Sequence, residues 1–150
     1  MARRVLRQQG VRDGVDRWIV GLFASAIDAA DREAEDKVSG TRERNAAVAR
    51  MLDDNPAAVD YLRREILQLH GDGSLISRLV DLSRDSVDTM RAAGHASRER
   101  DRVEQVVAVM VRQLGRLFLQ PLVIQIVEAF PEGERPAKAP ELAVAVRAGE

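Results

Sequence analysis

From Val103 to Phe130 the chain reads VEQVVAVMVRQLGRLFLQPLVIQIVEAF, apolar at almost every phase of a helical repeat. A helix of that kind has to be covered on more than one side. A chain of 150 residues provides one ordinary domain, which buries roughly two-thirds of its unfolded surface. So small a domain cannot enclose such a helix alone, and a second subunit is the natural source of the missing cover. Lipid is the other solvent for an apolar helix. The charge-free part, LFLQPLVIQIV at 117–127, is interrupted by Pro121 and falls short of the ~20 residues of a membrane span. A protein free in solution, with no membrane partner, is therefore expected. Pro121 should kink or restart the helix.

The remaining sequence carries helical spacing throughout and little of the alternation that marks strands. Val11, Val15, Trp18, Ile19, Leu22, Phe23, Ala26 and Ile27 define a long first helix from about Val11 to the DREAEDK segment. Gly14 and Gly21 weaken it by roughly 1 kcal/mol each, as tolerated glycines or as points of close helix contact. A second helix over 42–53 carries Ala46, Val48, Ala49 and Leu52. Asn55 as cap and Pro56 as first helical residue open a third, with Val59, Leu62, Ile66 and Leu69 on one face. Ser74 opens a fourth, with Ile76, Leu79, Val80, Ser83, Val87 and Met90 in one stripe and Gly94 as left-handed terminus. Asp101 and Glu104 have the spacing of a capping box for the fifth. The expected fold is an all-α, single-domain bundle of five or six helices. A basic tail or remnant of a connecting helix fills 1–10, the helical body 11–130, and a proline-rich linker with a short helix 131–150.

Candidates for chemistry are few. There is no Cys, which excludes disulfides, thiolate nucleophiles and thiolate-held zinc. His70 and His95 fall at a helix end and in a turn, where a solvated or capping histidine is the ordinary case. Neither has a second ligand at helical spacing, apart from Asp72 near His70. Serines lack a nucleophile-elbow context, and no glycine-rich loop follows a strand. No catalytic residue, metal or cofactor is expected, and a helical enzyme using Asp, Glu or His is the least favoured reading. The net charge of −1 argues against non-specific nucleic-acid binding by the whole chain. The excess of Arg over Lys, with abundant Ala and Val, fits GC-rich codons, hence a bacterial, cytoplasmic origin.

Large apolar side chains on facing helices can fill a core or line a pocket. By size and helical phase, Trp18, Leu22, Tyr61, Met90 and Phe118 are the expected ligand-binding set. Val106, Val109, Met110, Gln113, Leu117 and Phe118 are the expected centre of a two-fold interface.

The order of elements adds a family. A long helix, a short helix, LDDNPAAVDYLRREIL, LISRLVDLSRDSVDTMRAAG and an apolar helix with LFLQPLV resemble the C-terminal domain of TetR-family transcriptional regulators over about Val11 to Phe130. The resemblance implies a homodimer formed through the last two long helices, a small-molecule effector held among the helices, and a preceding helix-turn-helix module of roughly fifty residues. No three-helix segment precedes Val11, so the expectation is a sensor half without its reader, with no specific DNA binding by this chain alone. On the resemblance, Arg3, Arg4, Arg7 and Arg12 are remnants of the connecting helix; a solvated terminus explains them equally well. The alternative is a homodimeric interaction protein with a filled core and no ligand.

Overall fold

A computed structural model describes residues 2–35, 38–68, 74–140, 142 and 146, with side chains from Gly10 onward. Leu69, His70, Asp72 and most of the segment expected to form a C-terminal helix lie outside the described residues. Those described are helical, with no strand: α1 (Ala2–Glu33), α2 (Thr41–Asp54), α3 (Pro56–Leu67), α4 (Ser74–Ala92), α5 (Arg102–Leu114) and α6 (Arg116–Glu128), then a 3-10 turn at Glu132–Glu134. The first helix thus begins nine residues before the expected Val11, so most of the expected tail is helix.

Local chemistry sets most of the boundaries. Pro56 occupies the first turn of α3. The preceding Asn55 acts differently from expectation. Its side chain makes no bond to the start of α3; it donates from Nδ2 to the Met51 carbonyl at 2.7 Å and closes α2 instead. Helix α4 ends in a left-handed turn at Gly94, φ 79°. There the His95 N–H reaches the Met90 carbonyl at 2.8 Å and the Gly94 N–H reaches Arg91 at 3.3 Å, so two orphan carbonyls are satisfied. Asp101 caps α5, its carboxylate accepting from the N–H groups of Val103 and Glu104.

The long apolar run is broken at Gly115, one and a half turns before Pro121. Pro121 lies inside α6 and has no N–H to offer the Leu117 carbonyl four residues back. That carbonyl accepts from Arg63 Nε of α3 at 2.7 Å instead. The proline that interrupts one helix ladder therefore ties α6 to α3.

Helix α1 packs on α2 and α4, α2 on α3 and α5, α4 on α5, and α3 on α6. The main core joins Ile19 and Phe23 of α1, Val48 and Leu52 of α2, Leu62 of α3, Leu75 and Leu79 of α4, and Leu114 and Leu117 of the last two helices. A smaller one, Val87, Met90 and Val106, closes the far end between α4 and α5. Gly14 and Gly21 face open space, so neither serves a close helix contact.

Polar side chains also sit inside. Asp16, 3% exposed, accepts from Tyr61 Oη at 2.8 Å and Ser74 Oγ at 2.7 Å, which pins α1 to α3 and α4. Arg44, also 3% exposed, lies between Asp31 of α1 and Ser86 of α4. One of its terminal nitrogens reaches both Asp31 oxygens at 3.0 and 3.1 Å, and the other donates to Ser86 Oγ. Ser39 adds its N–H and hydroxyl to the same Asp31 oxygen.

Candidate functional sites on the bundle

The five expected ligand-binding residues do not converge. Leu22, Tyr61 and Phe118 are partly buried against the main core, whereas Met90 belongs to the separate small core. Trp18 is 46% exposed and lines no interior surface. Its neighbour Ile19 takes the inward position, because consecutive residues of a helix lie about 100° apart. Tyr61 is committed elsewhere. Burial first, and then the hydrogen bond to Asp16, push its hydroxyl up to about 12, so it stays a protonated donor to that carboxylate.

Among the described residues the cleft inside the bundle is small. The cleft between α1, α4 and α5, walled by Phe23, Leu79, Ser83, Met110, Gln113 and Leu114, has a volume of about 10 Å³. That is the room of a single water. Gln113 at its edge is occupied, donating to Asn45 Oδ1 of α2 at 3.1 Å.

Among the described residues, larger clefts open on the outside. One of about 160 Å³ lies between α2, α3 and α6, beside Arg63, Arg116 and Pro121. A second, about 400 Å³, is a shallow groove between the end of α1 and α2, bordered by Glu33, Glu43 and Arg50. A third, about 270 Å³, lies where α4, the turn after it and α5 meet. The third is floored by Val87, Met90 and Val109 and rimmed by His95, Arg100 and Arg112. Of the expected ligand set, Met90 lines this third cleft.

Of the expected interface residues, three are already covered within the subunit: Val106, Gln113 and Leu117, at 7–9% exposure. Val109, Met110 and Phe118 are half-buried against its cores. Exposed apolar side chains are densest on α6, where Leu119, Leu122 and Ile126 are about half exposed and lie three or four residues apart, with Phe130 continuing the row just past the helix end. Taken together, Arg102–Glu128 span 27 residues with a mean hydropathy of 1.4 in their most apolar window. By length and composition that stretch could cross a membrane, which the charge-free run at 117–127 alone could not. Only 22% of that window is buried within the chain.

The buried polar network and the third cleft were not anticipated. The signal was present for the first: Asp16 lies three residues before Ile19, and Arg44 four before Val48, so each is a charge in the apolar phase of its helix. For the cleft there was none, because Met90, Arg100 and Arg112 are brought together only by the turn between α4 and α5. Among the described residues no three His, Asp or Glu side chains converge as metal ligands would. Comparison of the chain with protein-family models, curated proteins and solved structures found no match.

Proposed function

We propose that this chain is the effector-binding and dimerisation domain of a TetR-like transcriptional regulator, acting in the bacterial cytoplasm on a small, largely apolar molecule. The observation that carries the reading is the apolar face of α6. A stripe formed by Leu119, Leu122, Ile126 and Phe130 is the kind of contiguous patch that marks an association site on a folded domain. It runs along α6 to the turn just past its end, and a two-fold axis through such a stripe makes each residue meet its own copy or a near neighbour. The order of helices and the chain's resemblance to the family's C-terminal domain support the rest. None of the six helices is proposed to read DNA.

Oligomeric state is the test. Light scattering at micromolar concentration is expected to give twice the chain mass, and Leu122→Glu or Ile126→Glu to give the single-chain mass with helicity unchanged, since both side chains are already half in solvent. A monomeric unmodified protein would overturn the reading. Stable flotation with liposomes would do the same, with lipid as the cover of α6.

The small volume of the inner cleft favours one second reading, a homodimeric interaction protein that takes no ligand. A thermal-shift screen with small apolar compounds separates the two, because selective binding to the folded state raises the midpoint.

A further inference from the structure

We infer that the cleft between the end of α4, the 95–100 turn and the start of α5 is a site for a small amphipathic carboxylate, an apolar body carrying one anionic head. The inference rests on the effector-binding half of the reading above and names the place and the ligand chemistry. The described inner cleft, at about 10 Å³, has no room for such a ligand, so an outer cleft is the place for it. This one, at about 270 Å³, approaches the ~300–1,000 Å³ of small-molecule sites.

Its two ends differ in chemistry. Val87 and Met90 lie at the bottom, themselves almost fully covered, and the accessible apolar lining comes from Ala96, Ala108, Val109 and Val146. The rim carries the guanidinium groups of Arg100 and Arg112 and the imidazole of His95, and among the described residues that line the cleft there is no acid. Nor does any described carboxylate pair with Arg100 or Arg112. Of the acids close in sequence, Asp88 pairs with Arg102 at 2.5 Å and Asp101 caps the first N–H groups of α5, while Glu99 and Glu104 do not line the cleft. Two exposed guanidinium groups beside an apolar floor match a carboxylate, which they bind through paired charge-assisted hydrogen bonds.

The rim is also held in shape before any ligand arrives. Gln105, buried, accepts from Arg91 at 3.0 Å and donates to the Ser97 carbonyl at 2.9 Å. Arg91 further donates to the carbonyls of Arg98 and Arg100 at 3.0 and 3.2 Å. The turn that carries Arg100 is therefore tied to α4 and α5 by side chains, and little ordering is left for binding to cost. On the outer side, Gln120 of α6 donates to the Pro140 carbonyl and accepts from the Leu142 N–H, both at 2.9 Å.

The experiment is isothermal titration of the full chain with octanoate, octanol and octylamine, all below their aggregation thresholds. Octanoate is expected to bind and the other two to bind at least tenfold more weakly. Arg100→Gln and Arg112→Gln should each weaken octanoate roughly tenfold or more, the scale of a lost charge-assisted hydrogen bond, and the double variant should abolish binding. Both arginines are exposed, so folding is expected to survive, with circular dichroism as the check. If octanol binds as well as octanoate and the double variant binds both unchanged, this site is refuted while effector binding stands. If neither these three compounds nor a panel of neutral apolar molecules binds, both fall together.

Discussion

Replacing Asp31 by Ala isolates the energetics of the buried Arg44. The Arg44 side chain is 4% exposed and the Asp31 side chain 22%. Removing the carboxylate leaves a desolvated guanidinium whose Nε already lacks a partner, and stranding a buried charge costs about 3–5 kcal/mol. The reverse change, Arg44→Met, removes the desolvated cation itself. Asp31 then keeps the N–H and hydroxyl of Ser39 and reaches water, so the loss should be smaller, about 1–3 kcal/mol. The double variant should therefore be more stable than Asp31→Ala alone, a coupling that a double-mutant cycle reads directly. Total stability for a domain of this size is about 7–15 kcal/mol, so all three variants should fold. Thermal unfolding followed by circular dichroism should show Asp31→Ala lowered by roughly 6–20 °C. If Arg44→Met costs as much as Asp31→Ala, with no recovery in the double variant, the argument from stranded charge is wrong. The pH dependence provides a second check. Burial pushes the Asp31 carboxyl up, but the hydrogen bonds from Ser39 and the charge of Arg44 outweigh it and hold it below its ordinary 3.8. A carboxyl lowered in the folded state stabilises above its unfolded value and loses that contribution as the pH falls through its folded value. The advantage of the unmodified protein over Asp31→Asn should be complete at about pH 6 and shrink below about pH 4.

Gly94→Ala should cost about 1–2 kcal/mol from backbone conformation alone, since φ is 79° and an added Cβ meets no atom within 4 Å; urea unfolding with an unchanged slope would check it. Arg63→Met should cost about 1–2 kcal/mol by orphaning the Leu117 carbonyl that Pro121 cannot serve, and should speed amide exchange in α6. In a gel-shift assay at physiological salt the chain alone should bind no operator selectively, because its net charge is −1 and phosphate contacts from a few arginines give only salt-sensitive, sequence-blind association. Tight selective binding there would mean a DNA-reading element within these six helices.

What the sequence determined by itself was local. Pro56, Asp101 and Gly94 mark helix ends through bonds and dihedrals that involve a handful of neighbouring residues; Ser74 also opens a helix, but its hydroxyl is spent on the distant Asp16. Helical periodicity located most of the inward face where a helix has a single apolar stripe: Leu79, Ser83, Val87 and Met90 are buried, whereas Ile76 and Val80 are only partly so and Leu75 takes the inward place at the helix start. Where a helix is apolar all round, periodicity has no phase to report. That is why Val106, Gln113 and Leu117 were assigned to an interface and are buried within the subunit, while Leu119, Leu122 and Ile126 are left outside. Side-chain size misled at Trp18 for a similar reason, since both it and Ile19 are apolar and only one of two adjacent residues can face the core. Tertiary structure alone decided the polar interior, because Asp31, Ser39, Arg44 and Ser86 come from three helices and a loop, and their pairing depends on how those elements pack. It also placed Arg100 and Arg112 on opposite ends of a turn and a helix yet around one cleft, a proximity that local spacing does not encode.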